Sequence, residues 1–301
     1  MSLATLAQAI AVGLLDGAFY AFLALSFTLV LGLTRALNLA HGDLVLLGGY
    51  LGYSAGRALG WHPVVLAPLA GLLLVPVGLV WRALLHRLRE PVELSSLVLT
   101  FGLSLLLQNG MLALWSADYR LIAADPAGPV ALGIAPARIR AAAVGISAIA
   151  LLQLLLTRTR WGAAIRATGR DPETAQLMGV NTDRVGIATF AVAAALAGVG
   201  GVLFAGFHYL HPAAGIDLTL LSITLAILGG IGGGGIGGGG IGGGGVGRLP
   251  GLLAGGLGIG LAGSLTITVA GPRWRELVVA GFLLGVLVTR GGGLGAPRGA
   301  R

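Results

Sequence analysis

His208 and His211, with Asp217 a short way on, have a spacing that can bind a metal ion, but a structural zinc site takes four ligands and no strong fourth is evident. Two solvated imidazoles in a loop are the preferred reading. Ser104 in GLSL and Ser264 in AGSL invite a hydrolase reading, which requires a histidine facing the serine as an oriented base, and neither histidine is so placed. The remaining polar groups are suited to hydrogen bonding rather than to covalent chemistry. Asp16 interrupts a long apolar run, with Tyr20 one turn on and on the same helix face. An acidic side chain near mid-span costs roughly 2.5–3.5 kcal/mol on insertion scales, so it must face protein, water or solute unless the helix slides it to an interface. Asn38, His41 and Asp43 follow Arg35 and are expected at the cytoplasmic end of the first apolar span, where they could close an inner gate, although capping of the next helix by Asp43 is the plainer use. Gln108 and Asn109 could bind the amine or carboxylate of a solute, or tie two helices together.

The elements that position these groups are membrane spans. The 301 residues are 56% hydrophobic and 10% charged, with a mean hydropathy of +0.92, against about 25% charged residues in a soluble domain. Apolar runs that approach or pass the roughly 18–20 residues needed to cross a bilayer recur along the chain. Residues Met1 to Ala11 carry no positive charge and lack the basic region of a secretory signal, so they are expected to begin the first span. There is no cysteine, which excludes disulfides, thiolate catalysis and Cys-bound metal. All 19 basic residues are arginine. A P-loop needs a lysine on the nucleotide phosphates, so ATP, if used, is hydrolysed by another subunit, and no cofactor is expected on this chain. The net charge of +8 does not indicate nucleic acid, because the arginines lie between spans and form no single basic face.

The runs Leu6–Leu33, Leu44–Leu59, Val64–Trp81, Leu94–Trp115, Ala141–Thr157, Val185–Phe207, Leu218–Ile231, Leu249–Ala270 and Leu277–Thr289 predict an all-α polytopic fold with about eight to ten transmembrane helices. The seventh and ninth runs are the weakest crossings. Short or glycine-broken segments of this kind form half-helices that line cavities in transporters. With the N-terminus outside, Arg35, Arg82, Arg87, Arg89, Arg158, Arg160, Arg166, Arg170, Arg184, Arg248, Arg290, Arg298 and Arg301 fall on the cytoplasmic side, thirteen of the 19 arginines. The loop 158–184 is then cytoplasmic, and Ser116 to Arg140, with Asp118, Asp125, Pro126 and Pro129, is periplasmic. Residues 230–247, GIGGGGIGGGGIGGGGVG, have too little side chain to pack and are expected to be a flexible linker. Their match to a nucleotide fingerprint is by chance, since no strand precedes it.

The segment Trp161 to Arg184 carries its own helix signals. Asp171 is a good N-cap, Pro172 suits the first turn, Glu173 complements the positive helix end, and Gly179 can take the left-handed conformation that ends a helix. A helix from Pro172 to Met178 follows. It is too short to be stable alone, so it docks on something, with Ala175, Leu177 and Met178 as apolar anchors. Its own membrane domain and a second protein are equally good partners on these grounds.

Three stretches resemble the permease subunit of branched-chain amino acid ABC importers, of the LivH type. Gly17 to Gly32, then NLAHGD at 38–43 and GGY at 48–50, is similar to that family's first span and its N-F-A-H-G-[DE]…G-A-Y segment. RATGRDPETAQLMGVNTDRV, Arg166 to Val185, is similar to R-A-x-x-x-D-P-E-x-A-x-L-x-G-[IV]-N, the most specific of the three. LGGIG before the glycine repeat and LPGLLAGGLGIG after it resemble L-G-G-x-G-x-x-x-G-A-x-x-G-G, which the family joins within a few residues.

The resemblance implies one permease domain over 1–301 that does no covalent chemistry. Arg166 and the helix Arg170 to Gly179 would be the segment that couples to a cytoplasmic ATPase. The implied partners are a second permease subunit, two ABC ATPases and a periplasmic solute-binding protein, around a bilayer in the bacterial inner membrane. The implied cargo is an amino acid, with urea, short amides or another small solute as alternatives. A secondary transporter or channel would act without ATP, a membrane enzyme would need a convergent nucleophile and base, and a scaffold would leave the capped helix without a role.

Overall fold

The computed structural model describes residues 3–34, 36–88, 92–122, 133–228 and 249–274, together with 277, 278, 280, 281, 284 and 285. The glycine repeat at 230–247 and most of the ninth apolar run lie outside the described residues. The described chain is helical: α1 Leu3–Thr34, α2 His41–Leu59, α3 Pro63–His86, α4 Val92–Trp115, α5 Pro136–Arg158, α6 Arg160–Arg170, α7 Pro172–Leu177, α8 Thr182–Ala205, α9 Gly215–Ala226 and α10 Leu249–Val269. Among the described residues six helices, α1, α3, α4, α5, α8 and α10, are long and apolar enough to cross a membrane. α2 carries His41, Gly42 and Asp43 in its first turn, and α9 is only 12 residues long. α9 falls in the seventh apolar run, one of the two that the sequence marks as weakest, whereas α2 falls in the second, which the sequence does not single out.

α1 is the central post. Its 32 residues are about 48 Å long at 1.5 Å per residue, and from Gly17 to Val30 every side chain is buried. It lies against α10, α5, α8 and α9, while α8 also packs on α2 and α3. Lipid offers apolar side chains no reason to leave it, so helices in a membrane associate through close backbone approach and van der Waals fit. The α1–α10 contact is built this way. A Cβ on Gly17 would stand 2.5 Å from the Gly256 carbonyl oxygen, and one on Gly256 would stand 2.5 Å from the Gly17 carbonyl oxygen. Ser264 Oγ adds a hydrogen bond, donating to the Ala9 carbonyl at 2.7 Å.

Phe19, Phe22, Phe204 and Phe207 form an aromatic group where α1 meets α8. At that end the loop after α4 pairs with the loop after α8. Arg120 and Leu210 exchange backbone hydrogen bonds, and the Ile122 amide donates to Ala205. These bonds satisfy backbone groups that would otherwise be stranded near lipid. The ends of α1, α5, α8 and α10 that border one cavity, at Gln8, Arg138, His208 and Thr268, lie together. The arginine count assigns all four to the periplasmic side, so the helix directions agree with one another.

Candidate functional site

At the opposite end, the chain between α5 and α8 forms two small helices. α6 is absent from the sequence expectation, which foresees only the second. Thr159 starts α6 by accepting from the Gly162 amide at 3.0 Å, and Ile165 and Thr168 are buried on its inner face. Arg166 lies on this helix, half-buried, with Nη1 enclosed. Arg170 is its last residue, and α7 follows at once. Asp171 caps α7, accepting from the Glu173 and Thr174 amides at 3.1 and 3.2 Å, with Pro172 as the first helical residue. Gly179 has φ +84°, and the chain turns back there, the Val180 amide donating to Ala175 at 3.0 Å. The helix ends at Leu177, one residue before the expected Met178.

The anchors of α7 divide. Ala175 is buried against the protein's own body, while Leu177 and Met178 are 87% and 82% exposed. Behind the helix, Asn181 caps α8 and Asp183 joins Arg82 of α3 at 2.9 Å and His86 at 3.4 Å. Asp183, in the first turn of α8, thus ties the chain that follows α7 to α3.

Asn38, His41 and Asp43 are not at the cytoplasmic end of the first span, where the sequence alone places them. After α1 the chain turns back into the bundle as a non-helical segment, and α2 begins beside α1 at Leu23 and Ser26. The His41 ring lies 3.3 Å from both Ser26 Oγ and the Leu23 carbonyl. Leu23 is eleven residues, about 16 Å, before the end of α1 at Thr34. Asn38, His41 and Asp43 are 5%, 3% and 2% exposed. The cap of α2 is Ala40, with no side-chain hydrogen bond. Asp43 instead accepts a hydrogen bond from Ser104 of α4, and Asn38 Oδ1 accepts from the Ala40 amide at 3.1 Å.

The exposed backbone of this re-entrant segment is met by hydroxyls from two other helices. Thr100 of α4 receives the Leu39 amide at 3.2 Å and donates to Leu37. Thr219 of α9 receives the Gly42 amide at 2.8 Å and donates to Leu39 at 2.9 Å. Half-helices in a membrane require such partners, since no water is available to the freed groups. A cavity of about 20 Å³ adjoins Asn38, His41 and Trp81.

A larger cavity, about 310 Å³, lies at the other end of α1 between α5 and α10. Asp16 and Tyr20 border it, as do Arg138 at the start of α5, His208 after α8, and Ile259 and Ser264 of α10. Asp16 stands 13 residues, about 20 Å, inside α1 and is ion-paired with Arg138 Nε at 3.3 Å. Arg138 also lies over the Phe207 ring at 5.7 Å. Sequence reading singles out Asp16 and misses Arg138, which looks like one more outer-loop arginine until α5 is known to start at Pro136.

The other candidates are dispersed. Gln108 and Asn109 sit on α4, Gln108 one turn after Ser104, and Asn109 donates to its own helix at Leu105, 2.7 Å away. His208 stacks on Phe204 at 4.7 Å, and His211 caps a 3₁₀ turn by accepting from the Ala213 amide. Among the described residues no group of three or more His, Cys, Asp or Glu could hold a metal ion. Ser104 donates to Asp43 and Ser264 to Ala9, so neither hydroxyl donates its proton to a histidine.

Comparison with known proteins places this arrangement. Residues 9–287 match the family described as the branched-chain amino acid transport system permease component. The chain is 28% identical to the high-affinity branched-chain amino acid transport system permease protein BraD of Pseudomonas aeruginosa, over 95% of this chain and 94% of that one. It is 29% identical to the LivH permease protein of Escherichia coli K12, with the same coverage. It is also 30% identical to the autoinducer 2 import system permease protein LsrC of Salmonella paratyphi A, over 89% of this chain and 74% of that one. No solved structure matches it. With its apolar helices and this match across nearly the whole sequence, the chain belongs to the branched-chain amino acid transport permease family and is a multi-pass inner-membrane protein.

Proposed function

We propose that this permease is driven by separate cytoplasmic ATPases that dock on α7, and that it carries amino acids of the branched-chain class. The observation that supports this reading most directly is α7 itself. It is a six-residue helix capped at both ends, fixed to its own chain by Ala175, and it turns Leu177 and Met178 outward. A helix of that length does not persist in water without packing. Its exposed apolar pair fits a groove on another protein, the helix-in-groove mode of recognition.

Arg166, Arg170, Asp171, Pro172, Glu173, Ala175, Leu177, Met178 and Gly179 form the coupling segment in this proposal. ATP is bound by the partner subunits, and this chain carries neither an ATPase site nor a cofactor. The assembly comprises this chain, a second permease subunit, two ATPases and a periplasmic solute-binding protein. Closure of the ATPase pair displaces α7, and Asp183 passes that motion to Arg82 and His86 on α3. The solute path runs past Asp16 and Tyr20 at the outer end and past Asn38 and His41 deeper in the bundle, with Gln108 and Asn109 on its α4 side. The cargo assignment follows the names of the BraD and LivH relatives. The autoinducer 2 relative supports a second reading, in which the same architecture carries a different small solute.

The test is co-purification of the tagged chain with the ATPases encoded beside it. The wild type is expected to retain them. A variant carrying Glu173→Arg and Leu177→Asp is expected to lose them while staying folded in the membrane. Equal retention by both chains would remove α7 as the docking site.

A further inference from the structure

The cavity at the outer end of α1 sets one carboxylate against one guanidinium in a recess of mixed lining, with Gln8, His208, Ser264 and Thr268 beside the apolar residues. Asp16 and Arg138 face each other at 3.3 Å, with their side chains 14% and 25% exposed. Val12, Ile259 and Ile267 supply apolar wall, and the Tyr20 side chain borders the space. At about 310 Å³ the cavity falls at the lower end of the range that holds small molecules.

We infer that this cavity binds an α-amino acid in its zwitterionic form, the carboxylate taking the guanidinium of Arg138, the ammonium taking the carboxylate of Asp16, and an aliphatic side chain lying against the apolar wall. The assignment rests on the importer reading above and adds Arg138 to the residues of the path. It follows from charge balance. Without solute, the pair neutralises itself. With a zwitterion inserted between them, each protein charge has an opposite partner again and the cavity stays neutral. A monoamine or monocarboxylate of the same skeleton leaves one of two largely buried protein charges uncompensated, which is unfavourable. The planar guanidinium suits a carboxylate, and its contact with the Phe207 ring holds it in position without consuming its N–H donors.

The alternative is that the pair only ties α1 to α5. Binding of radiolabelled leucine to the permease–ATPase complex in nanodiscs, without binding protein, separates the two. The competitors are 3-methylbutylamine, which lacks the carboxylate, and 4-methylpentanoate, which lacks the amine. For the wild type, leucine is expected to compete about ten-fold or more better than either analogue. Asp16→Asn is expected to weaken leucine and shift preference towards 4-methylpentanoate, and Arg138→Gln to shift it towards 3-methylbutylamine. A structural tie predicts no such opposite shifts. Variants that keep wild-type preference, variants that lose all three ligands in parallel while folded, or a wild type with no displaceable leucine binding at millimolar concentration would each overturn the assignment. ATP-driven uptake by the same wild-type complex is read alongside. If uptake occurs and the shifts do not, only the cavity assignment fails; if no solute is taken up with ATP, the importer reading fails first.

Discussion

A side chain added at Gly17 would have no room, because its Cβ would stand 2.5 Å from backbone oxygen on α10, which cannot rotate away as a flexible side chain would. Gly17→Val is therefore expected to destabilise the bundle by about 1–3 kcal/mol, the usual range for overpacking. It should lower the thermal unfolding midpoint in detergent, whereas Gly110→Ala, with open space around its Cβ position, should leave it unchanged. Ser104→Ala removes the hydroxyl that donates to buried Asp43. The loss of that partner is expected to cost about 1–3 kcal/mol, measured the same way, with Ser147→Ala on the exposed face of α5 as an unaffected comparison. Residue types were legible in the sequence, but their partners were less so. Asp16 stands out as an acid in an apolar run, yet nothing local indicates that Arg138 reaches it from another helix. His41 and Asp43 follow the first span closely, and only the return of the chain into the bundle explains their burial.

α7 was readable because its signals are local: an Asp cap, a Pro at the first position and a Gly at φ +84°. Asp171→Ala is expected to weaken that helix by about 1 kcal/mol. Amide hydrogen exchange at 173–178 should then accelerate about five-fold, with α1 and α8 unaffected. Unchanged exchange in this segment would show that packing, and not the cap, holds the helix. α6 was missed because the sequence offers only Thr159 as a cap and a short amphipathic repeat within a loop rich in arginine. The start of α2 was also misplaced, by attributing a capping role to Asp43. Re-entrant backbone is stabilised by hydroxyls distant in sequence, here Thr100 and Thr219, so no local pattern announces it.

At the scale of the molecule, hydropathy made the polytopic fold legible, because lipid acts on composition, and arginine placement assigns it a direction through the positive-inside bias. Helix pairing was not legible, since α1 meets α10 through glycines that look alike in any span. The absence of cysteine provides a clean test of orientation. A single Tyr209→Cys is expected to react with a membrane-impermeant maleimide in intact spheroplasts, and Met178→Cys only after the membrane is opened; the reverse pattern would invert the topology. The most direct measurement of how the protein works is leucine uptake into proteoliposomes, comparing this chain alone with its complex of second permease, ATPases and binding protein, with and without ATP. Uptake is expected only by the complex and only with ATP. Uptake by the chain alone, without nucleotide, would contradict it and make this an autonomous transporter.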